Sequence, residues 1–256
     1  LNDIRVIEGK GLWGGRFFVF KSLLSTNQWA LDNPQKCENG DVIRAIAQTA
    51  GRGRFQRKWL APANKSLTVS IVIKPQTLKN FMISFVNQIA ALALRSTLEK
   101  YFFISLVKWP NDIMVNGKKI AGILTERDSH TGTLILGIGL NVNLSVDDLT
   151  GAHLSQPATS MSIENGNTFD IEDVCMTLLT ELEVAINSIS HEGISLLLNL
   201  WKHYDFLAEK RINVQSQRET LKGKYAGMAE NGQLRMIDDK GKDHLFWTGD
   251  VSIKQP

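Results

Sequence analysis

Nine residues, GRGRFQRKW from Gly51 to Trp59, hold two glycines and four cations ahead of a tryptophan. Glycine lets a backbone come close to a partner, arginine and lysine take anions, and an indole offers a flat apolar face. The stretch follows an apolar run, DVIRAIAQTA (41–50), that carries the amide of Gln48 near its end. Three readings are open for such a loop: a cradle for an anionic ligand, an RNA contact, or a solvated basic turn. An RNA surface wants interleaved aromatics, and this stretch offers only Phe55 and Trp59.

Three further stretches can do chemistry. In VKWPNDIMV (107–115), Lys108 sits among apolar residues, where an unpaired charge is costly. It either snorkels to solvent or aims into a site to meet an anion. Pro110 removes a ladder donor and Asn111-Asp112 favours a turn, so the strand belongs at an edge or beside a cavity. GKKIAGILTE (117–126) reads as a hairpin with Lys118 and Lys119 at its turn. The low bulk of Ala121-Gly122 leaves room for a packed element or a ligand against the backbone. In GIGLNVN (137–143), Gly137 and Gly139 weaken a strand for no local reason, and Asn141 and Asn143 suit an adenine edge or turn capping. No P-loop is present, a dinucleotide fingerprint fails at Gln56, and no serine, cysteine or histidine stands in a nucleophile pattern. The inventory suits anion binding better than acid–base hydrolysis.

The elements that must position these residues follow from periodicity. Strands are predicted at 17–20, 41–50, 66–75 (stopped by Pro75), 106–110, 111–128 and 133–143, with a turn at Asn116-Gly117. Ser25, Thr26 and Asn27 are N-cap types before a helix over 26–33. Helices are predicted over 81–101, 169–190 and 194–207. After Arg211 come five short strands with glycine turns, the size of an SH3-like barrel. The pattern indicates an α+β or mixed α/β domain, a mixed β-sheet flanked by helices over 1–208, and a small β domain over 209–256.

The bulk numbers narrow the class. A chain of 256 residues with 43% hydrophobic content can bury an ordinary core. Its formal net charge of +3 is too weak to argue for nucleic acid by itself, so any basic footprint must be local, and no nucleic-acid partner is expected. Cys37 and Cys175 form no metal or disulfide pattern, which suits a reducing cytoplasm. No signal peptide is visible, and the apolar 81–101 stretch is interrupted by Asn87, Gln88 and Arg95, so no membrane partner is expected.

Taken together, Ser25-Thr26-Asn27, Gln48-x-Ala50-Gly51-Arg52-Gly53-Arg54-x-x-Arg57-x-Trp59, Lys108-Trp109-Pro110-Asn111-Asp112, Lys119-Ile-Ala-Gly122-Ile-Leu and Gly139-x-Asn141-x-Asn143 resemble the biotin protein ligase family in order and rough spacing. The likeness covers about residues 17 to 256. It implies the class II synthetase-like biotin/lipoate ligase fold, with an SH3-like C-terminal domain. It also implies a two-step activity: ATP and biotin form biotinyl-5′-AMP, and biotin is then moved to one lysine of a biotin carboxyl carrier protein.

The resemblance assigns roles residue by residue. Lys108 would bridge the biotin carboxylate and the α-phosphate, with Arg54 and Asp112 as further catalytic groups. Arg52 and Arg54 would hold biotin and the adenylate phosphate, and Arg57 would contact phosphate. Ser25, Thr26 and Gln48 match ureido contacts, with Asn27, Gly51 and Gly53 beside them. Trp59, Ile113, Gly122 and Leu124 would wall the apolar tail. Asn111, Lys119 and Asn141 would serve the nucleotide. Mg²⁺ would be held mainly by the triphosphate, with no protein metal ligand assigned. The N-terminal 24 residues fit no helix-turn-helix, so the short form without a DNA-binding domain is expected, and a homodimer is compatible. Two alternatives remain: a lipoate–protein ligase, and a non-enzymatic RNA- or protein-binding module.

Overall fold

The structure is a computed structural model that describes residues 4–152, 154, 156–215 and 219–253. The outer limits of the two expected domains, Leu1 and Pro256, lie outside the described residues.

The chain opens with β1 (Ile4–Ile7), β2 (Phe17–Leu23), α1 (Thr26–Asp32), β3 (Val42–Gln48) and β4 (Ser66–Ile73). Helices α2 (Asn80–Ile83) and α3 (Val86–Lys100) precede β5 (Leu106–Lys108), β6 (Asp112–Val115), β7 (Lys118–Arg127) and β8 (Leu134–Asn141). Then come α4 (Val146–Thr150), α5 (Met161–Asn165), α6 (Ile171–Glu192) and α7 (Ile194–His203). Strands β9 (Arg211–Gln215), β10 (Thr220–Met228), β11 (Leu234–Asp238), β12 (Asp243–Phe246) and β13 (Asp250–Ile253) close the sequence. Among the described residues, the first eight strands form one sheet in the order β1-β2-β3-β4-β8-β7-β6-β5. Among the described strands of this sheet only β2 and β3 pair in parallel, with α1 between them in sequence; the other strand pairings are antiparallel. The last five form a separate antiparallel sheet in the order β12-β11-β10-β9-β13.

The period of two along each strand divides the large sheet into unlike faces. Leu67, Val69, Ile71 and Ile73 of β4, with Leu134, Leu136, Ile138 and Leu140 of β8, join α3 and α6 in the main core. The alternate positions of β4 are Ser66, Thr68, Ser70 and Val72. Val72 and Ile135 pack with Phe18, Phe20, Ile43 and the α1 residues Trp29, Ala30 and Leu31 in a smaller cluster. One face is therefore apolar throughout, while the other is apolar at one end and carries hydroxyls and glycines at the other.

Three sequence expectations change. The helix over 81–101 is two helices, broken where Phe85 leaves helical geometry (φ −112, ψ 10) and is buried in the main core. The helix expected over 194–207 stops at His203, because the following segment runs along β5. There the Val107 N–H donates to the Tyr204 carbonyl (2.9 Å), and the Phe206 N–H donates to the Val107 carbonyl (2.8 Å). The edge position read from Pro110 holds for β5, with residues 204–206 covering its rim. Finally, Ile113 is fully buried on the helix-packed face, paired with Ala121, so it cannot wall a ligand on the opposite face.

The N-terminal glycines also gain a reason. A Cβ on Gly15 would lie 2.4 Å from the Gly40 carbonyl carbon, so two backbone segments meet there with no room for a side chain.

Candidate active site

Register builds the floor of the site. Lys108 pairs with Asp112, Asp112 with Gly122, Gly122 with Gly139, and Gly139 with Thr68. These five residues form one row across β5, β6, β7, β8 and β4. A parallel row runs Leu124, Gly137 and Ser70. The glycines lower the floor, and the side chains of Trp59, Lys119 and Asn27 fill the space above them. A Cβ on Gly139 would sit 2.4 Å from Trp59 Cε2, and one on Gly122 would sit 3.3 Å from Trp59 Cζ3. A Cβ on Gly137 would sit 2.4 Å from Asn27 Oδ1. The glycines that weaken β8 locally are thus the places where the loop and α1 approach the sheet.

The 51–59 loop is a small hairpin folded over this floor. Its stem is closed by the Trp59 N–H donating to the Gly51 carbonyl (2.9 Å) and the Gly53 N–H donating to the Arg57 carbonyl (2.7 Å). Gly51 is required by close approach, since a Cβ would meet the Trp59 carbonyl oxygen at 2.6 Å. At the tip, Phe55 and Gln56 take left-handed φ values of 54 and 61, a conformation that costs a non-glycine residue free energy.

Each arginine of the loop reaches a different element. Arg52 Nη2 donates to both oxygens of Glu126, at 3.0 and 2.9 Å. Arg54 donates from Nη2 to Thr248 Oγ1 (2.6 Å) and from Nη1 toward Asn111 Oδ1 and the Gly249 carbonyl, both at 3.4 Å. Arg57 forms an ion pair with Asp250. The second sheet therefore holds the tip of the loop through residues 248–250. It meets the large sheet again where buried Trp109 Nε1 donates to the Gly232 carbonyl (3.0 Å).

The α1 end is a network of short polar residues. Ser25 caps the helix by accepting from the Gln28 N–H. The Thr26 N–H donates to Gln48 Oε1 (2.6 Å), and Ser70 Oγ lies 2.6 Å from Thr26 Oγ1 and 2.5 Å from Asn27 Oδ1. Asn27 Nδ2 donates to the Leu124 carbonyl (3.0 Å) and to Glu126 Oε2 (2.9 Å).

At the other end lies a cluster of charges. Lys108 is 8% exposed, and its ammonium faces Gln156 Oε1 at 3.4 Å. Burial pushes its pKa down, countered in part by Asp112. Asp112 is paired with Lys119 (2.6 Å) and accepts from Gln156 Nε2 (3.1 Å). Burial likewise lowers the Arg54 pKa, against the pull of Asp250 and Asp112. Removing cations from water strengthens their interaction with any anion that replaces that water. Asn111 donates to the Ile123 carbonyl (2.6 Å), and Asn141 donates to the Thr159 carbonyl (2.9 Å), so both amides also brace the site's own backbone.

The arrangement brings together Ser25, Thr26, Asn27, Gln48, Arg52, Trp59, Gly122 and Leu124 at one end, and Arg54, Lys108, Asn111, Asp112 and Lys119 at the other. Arg57 lies further out, on Asp250. Four residues were missing from the sequence reading: Ser70, Glu126, Gln156 and Asp250. Ser70 was detectable from the Ser66, Thr68, Ser70 alternation within β4. The other three meet their partners across 74, 48 and 193 positions of sequence, beyond the reach of local pattern.

Known proteins resemble this chain along most of its length. The bifunctional ligase/repressor BirA of Bacillus spizizenii is 28% identical over 245 residues, covering 93% of this chain and 74% of that protein. The biotin–[acetyl-CoA-carboxylase] ligase of Paracoccus denitrificans is 29% identical over 226 residues, covering 85% of this chain and 92% of that one. In fold, a biotin protein ligase from Aquifex aeolicus, solved in complex with biotin and ATP, matches with a TM-score of 0.79 at 22% identity, over 94% of this chain and 99% of that chain. Residues 19–143, the segment that runs from β2 to the end of β8 and holds both rows of the floor, match the biotin/lipoate A/B protein ligase family.

Proposed function

We propose that the protein is an ATP-dependent biotin protein ligase that acts on a biotin carboxyl carrier protein. The observation that carries the reading is the buried Lys108 at the end of a glycine-floored row, beneath a loop that brings Arg52 and Arg54 over the same face. The names of the ligase relatives support biotin over lipoate.

In the first half-reaction a biotin carboxylate oxygen attacks the α-phosphorus of ATP. An O–P bond forms, the bond to the β-phosphate oxygen breaks, and pyrophosphate leaves. Two anions must meet, and cations in a poorly hydrated site offset their repulsion. Lys108 lies between the carboxylate and the α-phosphate, Arg54 takes the adenylate phosphate, and Arg57 takes the departing phosphates after exchanging Asp250 for them. Ser25, Thr26 and Gln48 serve the ureido ring, with Asn27 beside them, while Trp59 and Leu124 cover the apolar tail. Asn111, Lys119 and Asn141 line the nucleotide side.

Among the described residues no group of three His, Cys, Asp or Glu side chains could hold a metal ion. Mg²⁺ would therefore take most of its ligands from the triphosphate and water, and it supplies charge neutralisation there. In the second half-reaction the amine of the carrier lysine attacks the acyl carbon and AMP leaves. Asp112, paired with Lys119, orients that amine or accepts its proton. We read the chain as a catalytic domain over 1–208 and an SH3-like domain over 209–256 that anchors the loop.

The test combines the protein with biotin, ATP, Mg²⁺ and a carrier domain, read by intact-protein mass spectrometry. One biotin on one lysine is expected, and lipoate in excess should not compete. No mass gain on a verified acceptor refutes the assignment, and preferential lipoylation replaces it.

A further inference from the structure

We propose that Glu126 is a positioning residue for this reaction, holding Arg52 and Asn27 so that the biotin pocket and the anion loop assemble as one unit; the proposal rests on the ligase reading above. Three elements converge on its carboxylate. The base of the loop contributes Arg52, whose Nη2 reaches both oxygens. The first turn of α1 contributes Asn27, whose Nδ2 reaches Oε2 at 2.9 Å. The third element is β7 itself, where Glu126 lies on the same face as Gly122 and Leu124 by the period of two.

The convergence has two consequences for the chemistry. The first is geometric. Arg52 stands on a stem of glycines, so its guanidinium would be free to rotate without an anchor, and ordering it on binding would weaken affinity. Glu126 orders it in advance, while the Arg52 ε N–H stays buried with no protein partner and remains a donor for a ligand. The second is electrostatic. With Glu126 beside it, Arg52 adds little net charge, so it supplies direction, whereas Lys108 and Arg54 supply the net positive charge at the reacting anions.

Asn27 completes the link. Its Oδ1 is near Ser70 Oγ and stacked on Gly137, so its amide cannot rotate freely. Withdrawing Glu126 would leave the Nδ2 group with the Leu124 carbonyl alone.

The experiment is steady-state ligation and melting temperature for Glu126→Gln, Arg52→Ala and the double variant. A charged hydrogen-bond acceptor replaced by a neutral one should cost about tenfold or more in biotin KM. The ATP KM should stay within about twofold, and the melting temperature near wild type. If Glu126 acts through Arg52, adding Glu126→Gln to Arg52→Ala should change the biotin KM by less than about twofold.

A wild-type biotin KM in Glu126→Gln overturns the proposal. So does the full loss recurring in the Arg52→Ala background, or a joint shift of both KM values with a lowered melting temperature, which would mark a general structural role. A wild-type protein that labels no carrier defeats the ligase reading itself. A competent wild type with an unaffected Glu126→Gln defeats only the role of Glu126.

Discussion

Gly137→Ala adds a single methyl group to β8 where the Asn27 amide already fills the space above the sheet. The backbone tolerates alanine here, because Gly137 is not among the residues with positive φ. The cost is therefore steric. The new Cβ would lie 2.4 Å from Asn27 Oδ1, 2.8 Å from its Cγ and 2.9 Å from its Nδ2. Ordinary contact needs about 3.5 Å, so the amide must move by roughly 1 Å. It cannot do so without loosening its contacts with Ser70, the Leu124 carbonyl and Glu126. Keeping the amide in place costs about 1–3 kcal/mol of overpacking, whereas expelling it relieves the overlap but loses three hydrogen bonds at about 1 kcal/mol each, roughly 3 kcal/mol. That corresponds to about a hundredfold weaker biotin binding when the whole loss falls on the pocket. Thermal melts and biotin titration calorimetry measure the two parts. The decisive comparison is Asn27→Ala with Gly137→Ala. Removing the amide relieves the clash, so the double variant should be no less stable than Gly137→Ala alone. Additive losses, or an unchanged biotin affinity in Gly137→Ala, would rule out a steric coupling between Gly137 and Asn27.

Lys108→Ala should slow biotinyl-AMP formation by about a thousandfold, as loss of a charge-stabilising donor does. Its melting temperature should not fall, because a desolvated ammonium is removed while Asp112 keeps Lys119; a quench-flow adenylation rate near wild type would count against it. Arg54→Ala should release biotinyl-AMP faster and label lysines less selectively, since its ties to Thr248 and the Gly249 carbonyl hold the loop tip; retention equal to wild type in a filter-binding chase would remove that role. Asp205 tests the join between the sheets. Burial lifts its pKa to about 6, and Tyr225 donates to it from β10. A carboxyl raised in the folded state favours folding below its unfolded pKa, and this stability is lost as pH rises through about 6. Wild type should therefore lose stability relative to Asp205→Asn between about pH 4 and pH 6; a pH-independent difference in denaturant midpoints would contradict this. Asp112→Asn should slow transfer from preformed biotinyl-AMP to the carrier, and an unchanged transfer rate would return Asp112 to a purely structural role beside Lys119.

In the sequence by itself, β-branched runs and Asx-Gly turns set the strands, because a strand's period and a turn's φ demands are local. The Asn116-Gly117 turn, with φ values of 48 and 76, is such a case. The sequence motifs also named most residues that now line one face, because the cations and glycines of each motif lie within a few positions of one another. Tertiary structure decided the rest. Which face of β6 meets the site depends on pairing, and that moved Ile113 into the core. Why β8 tolerates two glycines depends on Asn27 and Trp59, which arrive from 110 and 80 residues earlier in the sequence as its own numbering shows. The end of α7 depends on an unpaired strand rim that accepts residues 204–206. Glu126 and Asp250 look like ordinary surface acids until folding sets them beside Arg52 and Arg57. Local pattern records what each residue can do, whereas partners distant in sequence are chosen only when the chain closes and buried polar groups must find one another.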